Sequence, residues 1–197
     1  MRAWFARGPA PLNSPAAFLD RDGTLNQNRH GAYITRPEQL KLYARVPAAL
    51  KLLSKKGYRL IVITNQSGIA RGYMTAAAAK AINLKLVKDL RGKGIKLDGI
   101  YFCPHAPADK CACRKPAPGL LKEAAADRPI DLRRSFVAGD KACDLRLARR
   151  AGLKGYLVLT GNGREAPAAT RKHGFSDLLA LARGVADRSA RRKKELK

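Results

Sequence analysis

Five short apolar runs, at 16–19, 58–63, 99–102, 135–138 and 155–159, alternate with longer stretches of helical periodicity. That alternation leaves few architectures open to the chain. The runs read as buried strands, and the spacing predicts helices over 47–56, 75–92, 119–126, 143–151 and 176–183. Pro47 suits a first helical turn, Thr75 suits an N-cap, and Gly57, Gly94 and Gly152 stand where helices should stop. Strand and helix repeated in this order imply an α/β fold, a doubly wound parallel sheet with helices on both faces. Ligands in such folds bind beyond the carboxyl ends of the strands. The chemistry-bearing residues of this chain follow those ends.

After the first run comes Asp20-Arg21-Asp22-Gly23-Thr24. Two carboxylates one residue apart, on a chain leaving a strand, can both project into the mouth of the sheet, and Gly23 permits the tight turn behind them. A carboxylate nucleophile splits a hard phosphoryl transfer into two easier steps. Its neighbour must then hold a proton for the leaving alcohol and later take one from water. By itself the pattern also fits an acidic surface turn. The second run ends in Thr64-Asn65-Gln66-Ser67-Gly68, where a hydroxyl and backbone N–H groups can hold a phosphate. Arg114 and Lys115 put two cations before a predicted helix, and Gly139-Asp140-Lys141-Ala142-Cys143-Asp144 adds carboxylates for a hard cation such as magnesium.

Three of the four cysteines gather with a histidine as Cys103-Pro104-His105 and Cys111-Ala112-Cys113. Three thiolates and an imidazole make a closed tetrahedral zinc set, with no position left for water. Incidental thiols are the alternative. The spacing differs from the usual CxxC knuckle, but such density beside a histidine points to metal. The expected ion is structural, stiffening the loop that carries Arg114 and Lys115.

Taken together, FLDRDGTLN, TNQSGIARGY, YFCPHAPADKCACRKPAPG and GDKACD resemble the haloacid dehalogenase superfamily of phosphatases. Within it they are similar to the heptose 1,7-bisphosphate 7-phosphatases and, nearly as much, to the histidinol-phosphate phosphatases. The similarity covers residues 16–161. It implies a Rossmann-like domain with a minimal cap, a magnesium ion, and a small phosphorylated metabolite as substrate. It implies Asp20 as nucleophile, Asp22 as general acid/base lending its backbone carbonyl to Mg2+, and Asp140 as a further Mg2+ ligand, with Asp144 at the outer acidic position. Thr64 and Lys115 would hold the phosphoryl group. Arg114 would recognise substrate, Lys141 would contact it, Asn65, Gln66 and Ser67 would line the site, and Asn28, Arg29, His30 and Gly31 would meet the sugar. Zn2+ would sit on Cys103, His105, Cys111 and Cys113.

Length and charge set the remaining bounds. The 197 residues suit one domain at 15–185, between a flexible leader at 1–14 and a basic, disordered tail at 186–197. The leader lacks the apolar stretch of a signal peptide, no run approaches a membrane span, and the expected setting is cytoplasmic, as a monomer. Lys and Arg number 40 against 15 acidic residues, a net charge of +25. This field attracts anions or simply forms a solvated surface. It keeps open a nucleic-acid 3′-phosphatase and a zinc-containing nucleic-acid-binding module, although aromatic residues for base stacking are sparse at 6%. His173 reads as a surface residue, Cys143 as a small packing residue, and Gly161-Asn162-Gly163 as a turn.

Overall fold

The computed structural model describes residues 2–5, 13–29 and 31–186. Six strands form one sheet: β1 (Arg2–Phe5), β2 (Ala16–Leu19), β3 (Arg59–Asn65), β4 (Gly99–Cys103), β5 (Phe136–Gly139) and β6 (Lys154–Leu157), in the order β1-β4-β3-β2-β5-β6. β2 to β6 run parallel, as the alternation predicts, and β1 lies antiparallel on β4. β2, β4 and β5 are buried at every residue because both sheet faces are covered. Ala17 and Leu19 pack in the layer of α1 (Val46–Lys55), α2 (Ala76–Arg91) and α6 (Leu178–Gly184). Their neighbours Ala16 and Phe18 pack with α3 (Gly119–Asp127) and α4 (Ala142–Arg150).

The chain leaves β2 for β3 and β4 on one side, then returns to place β5 and β6 on the other. The reversal opens a crevice at the carboxyl ends of β2 and β5, where Asp20 and Asp140 begin their loops. Thr75 caps α2 as expected, its side chain accepting from the Ala78 N–H at 3.0 Å.

Some expectations shift. The leader at 1–14 includes β1, whose Arg2, Trp4 and Phe5 pair with Tyr101, Ile100 and Gly99 and so cover the edge of β4. β3 continues to Asn65 because the ladder opposite Tyr101, Phe102 and Cys103 holds, so Thr64 and Asn65 are strand residues. β6 stops at Leu157, while Val158 N still donates to Gly139 O at 2.9 Å and Val158 bridges Phe175 on its other side. α5 (Ala168–Arg171) is a single turn without a buried face to announce it. α6 starts at Leu178 because Asp177, accepting from Ala180 N at 2.8 Å, is the cap. His30 and residues 187–197 of the expected tail lie outside the described residues. Among the described residues, no helix is long and apolar enough to cross a membrane.

Candidate active site

Asp20 is the first residue beyond β2, and its N–H continues the ladder to Ala138 O at 2.9 Å, which fixes it at the crevice. The chain then folds back tightly: Arg21 O accepts from Leu25 N at 2.8 Å and Asn26 N at 3.1 Å. Gly23 has φ +90° and lies against the Asp140 carboxylate, so a Cβ there would meet both strained backbone and a buried side chain. Asp20 is 4% exposed. Its Oδ1 accepts from the Arg21 N–H at 2.7 Å and pairs with Lys115 Nζ at 2.9 Å.

Asp22 is more open, its side chain 23% exposed. Arg21 forks onto it, Nε to Oδ1 at 3.1 Å and Nη2 to Oδ2 at 2.8 Å, while Asn26 Nδ2 and Gln66 Nε2 add one donor to each oxygen. Four donors fill the four lone-pair sites of a carboxylate. Burial works to raise the Asp22 pKa, but the Arg21 charge and these hydrogen bonds hold it below the ordinary carboxylate value. The sequence reading expects a proton here; this resting geometry instead favours the ionised form, the one that can take a proton from water. One donor must yield before Asp22 can act as an acid.

Thr64, at the end of β3, is 1% exposed, and its Oγ1 accepts from Gln66 Nε2 at 2.9 Å. The Gln66 amide thus bridges Asp22 and Thr64. Asn65 uses both halves of its amide on the Lys115 backbone, donating to O at 3.1 Å and accepting from N at 3.0 Å. Its role in this geometry is a clamp that aims Lys115 into the crevice. Lys115 Nζ meets Asp20 Oδ1, Asp144 Oδ1 at 2.7 Å and Ile63 O at 2.8 Å. Burial pulls this ammonium down, but Asp144 and Asp20 outweigh it and push its pKa above the ordinary lysine value. It stays charged.

Asp20, Asp140 and Asp144 bring carboxylate oxygens within 4.8 Å of one another, all buried. Burial first, then the charge of Asp20, pushes Asp140 up to about 7. Asp140 Oδ1 is a buried oxygen with no hydrogen-bond partner among the described residues. An orphaned carboxylate oxygen beside two more carboxylates fits a hard cation with an oxygen shell. Cys143 points into the same neighbourhood, where burial and Asp144 raise its thiol to about 11. It is a protonated packing group there, in keeping with its sequence reading.

The second cluster stands at the end of β4. Cys103 Sγ lies 3.6 Å from His105 Nδ1, 3.6 Å from Cys111 Sγ and 3.3 Å from Cys113 Sγ. Cys113 Sγ lies 3.2 Å from His105 Nδ1 and 3.4 Å from Cys111 Sγ. Zn–S bonds of about 2.3 Å put tetrahedral ligands about 3.8 Å apart, so a zinc ion would fit among these four atoms with a slight expansion of the cluster. Burial pushes the Cys103 and Cys113 thiols up, while hydrogen bonds from Cys113, the Arg114 backbone and Cys103 overcome burial at Cys111 and bring it down to about 7, so one thiolate of the set is favoured without a metal. Arg114 Nη1 donates to His105 O at 3.0 Å, so the cluster and the Arg114–Lys115 segment are one unit.

A cavity of about 710 Å³ opens above these groups, lined in part by Asp22, Asn28, Arg29, Gly31, Asn65, Gln66 and Lys141. The structure therefore gathers most of the predicted sugar-side residues on one wall. Arg114 is outside that lining, held by the His105 carbonyl, and Ser67 is buried with Oγ 3.2 Å from Tyr33 Oη. Near Asp22, burial works to lower the Lys141 pKa, but Asp20, Asp140 and Asp22 together raise it.

The geometry is matched by known proteins. A HAD-hydrolase-like family model matches residues 112–182. The D-glycero-beta-D-manno-heptose-1,7-bisphosphate 7-phosphatase of Helicobacter pylori strain J99 is 43% identical over 153 residues, covering 77% of this chain and 87% of that one. The enzyme of the same name from Haemophilus ducreyi is 43% identical over 158 residues, covering 76% and 86%. The chain belongs to this phosphatase family. A solved D,D-heptose 1,7-bisphosphate phosphatase from B. bronchiseptica, complexed with magnesium and phosphate, superposes with a TM-score of 0.77 at 36% identity, covering 86% of this chain and 96% of that one.

Several residues of the phosphatase's site escape sequence reasoning. Tyr33 and Tyr73 stack with centroids 5.3 Å apart and, with Arg71, form the outer cavity wall. For Arg71 and Tyr73 the signal was present in the run through Gly68 to Tyr73, where a cation and an aromatic follow the phosphate-type motif; Tyr33 lies outside it. Asn162, read as part of a turn, does more. Its N–H donates to Asp140 Oδ2 at 2.8 Å, and its Oδ1 accepts from Asn28 Nδ2 at 2.9 Å, tying the cavity rim to the carboxylate cluster. Nothing in a Gly-Asn-Gly string announces those partners.

Proposed function

We propose that this chain hydrolyses the 7-phosphate of D-glycero-D-manno-heptose 1,7-bisphosphate through an aspartyl phosphate on Asp20. The observation that carries this reading is the buried trio Asp20, Asp140 and Asp144, paired to Lys115 beneath a cation-lined cavity in a chain 43% identical to enzymes of that name. Magnesium held by Asp20, the Asp22 backbone carbonyl and Asp140 would neutralise charge on the phosphoryl oxygens. Asp20 attacks phosphorus while the bond to the sugar oxygen breaks, and Asp22 gives that oxygen its proton. Asp22 then takes a proton from water as the water attacks phosphorus and releases the Asp20 carboxylate. Thr64 and Lys115 hold the transferring group in line. Arg29, Arg71 and Lys141 leave the cavity positive, which suits a substrate with a second phosphate. Zinc on Cys103, His105, Cys111 and Cys113 would keep Arg114 and Lys115 in register. Cysteines kept as zinc ligands and a packed thiol, with no disulfide among the described residues, suit a reducing, cytoplasmic setting.

Side-by-side turnover of heptose 1,7-bisphosphate, histidinol phosphate and a 3′-phosphorylated oligonucleotide tests the substrate. The heptose bisphosphate should give the highest kcat/KM by at least tenfold. Preference for either alternative would reassign the chain within the same chemistry.

A further inference from the structure

Between the two aspartates sits a residue that the reaction as written does not use. Arg21 is 0% exposed, a rare position for a guanidinium. Two of its nitrogens fork onto Asp22, and the third, Nη1, donates to Asn83 Oδ1 at 2.8 Å. Asn83 is 1% exposed on the face of α2 that otherwise presents Ala79, Ile82, Leu86, Val87 and Leu90 to the core. A buried Arg–Asp pair and a buried amide on an apolar helix face are poor devices for stability, since apolar side chains of similar volume there are often as stable or more so. Their geometry does achieve something else. A guanidinium gripped at both ends is a rigid strut that sets the plane of the Asp22 carboxyl relative to α2 and the sheet, so the donor that yields when Asp22 takes a proton is Asn26 or Gln66.

We infer that Arg21, braced by Asn83, is a positioning residue that aims Asp22 at the leaving-group oxygen. The inference rests on the proposed role of Asp22 as general acid. The strut matters in proportion to how much the leaving oxygen needs its proton. An alkyl phosphate expels a strongly basic alkoxide and depends on an aligned acid. p-Nitrophenyl phosphate expels a stable phenolate that leaves without one.

Single-turnover formation of the aspartyl phosphate is therefore followed with both substrate types in wild type, Arg21→Lys and Asn83→Leu. Lys keeps the charge and loses the fork; Leu removes the brace and leaves Arg21 Nη1 without its acceptor, so the folding of each variant is checked by circular dichroism. The ratio of the alkyl to the aryl rate constant should fall about 10²-fold in Arg21→Lys, in line with the usual share of general acid catalysis. It should fall in the same direction, by less, in Asn83→Leu. An equal loss with both substrates would make the strut merely structural, and an unchanged ratio in both folded variants would overturn the inference. The alkyl arm uses whichever monoester the wild type turns over best, so an error about the heptose leaves the test intact. A wild type that hydrolyses no monoester would remove the functional reading and the strut together.

Discussion

Replacing Lys115 by Met tests how the crevice balances its charge. The ammonium, 3% exposed, is held by Asp20 at 2.9 Å, Asp144 at 2.7 Å and the Ile63 carbonyl at 2.8 Å. Methionine matches the volume but leaves two buried carboxylates facing each other with Asp140 alongside. Breaking a buried pair from one side typically costs about 3–5 kcal/mol. One of the three acids can take a proton and soften the loss, so the lower end, about 3 kcal/mol, is the expected figure. For a domain of this size that corresponds to a fall in Tm of about 6–12 °C. Urea unfolding of the chelated variant, read as a change in midpoint at constant slope, measures it. Saturating Mg2+ should recover part of the difference, because a cation among the same carboxylates replaces the missing charge. Turnover should still drop by about 10²–10³, since the phosphoryl group loses a preorganised cation. A chelated Lys115→Met protein within about 1 kcal/mol of wild type would refute the charge argument.

Asp20→Asn should abolish turnover while leaving the fold intact, since an amide cannot attack phosphorus; steady-state hydrolysis by the undeamidated variant is the check. Metal analysis of protein purified without added zinc should give one zinc per chain, and Cys113→Ser should lower that content and raise KM more than it slows chemistry on a bound substrate. Stabilisation by Mg2+ should grow with pH. With Asp140 pushed up to about 7, the metal-free fold holds this proton more tightly than the unfolded chain does, so the stability it contributes is present at low pH and lost as pH rises towards 7. Mg2+ must displace the proton below that point and offsets the lost stability above it, so the Mg2+-induced Tm shift should be larger at pH 8 than at pH 5.5. Equal shifts at the two values would remove the carboxylate trio as the cation's site.

Much of this was legible because the chemistry follows strand ends. Ala16–Leu19 is apolar on both faces and is followed at once by Asp20, so strand, turn and nucleophile are read from one string. The same holds for Phe136–Gly139 and Asp140, and for Cys103 at the end of β4. The site's second layer was not legible, because it consists of side-chain pairs between distant segments. Arg21 reaches Asn83, 62 residues on, and Asn28 reaches Asn162, 134 residues on. Asn65 lines the cavity, but its motif does not announce that the Lys115 backbone, 50 residues on, claims both halves of its amide. β1 was hidden for a related reason: a four-residue run among prolines and arginines gains its pairing only from the free edge of β4.

The central claim is that phosphate passes through Asp20. Acid quench of the enzyme during turnover of heptose 1,7-bisphosphate in Mg2+, followed by borohydride reduction and peptide mass spectrometry, reads it directly. Reduction of an acyl phosphate converts that aspartate to homoserine, and the account predicts homoserine at position 20, dependent on both substrate and Mg2+. Full turnover with position 20 unmodified, or with the label on another residue, would contradict it.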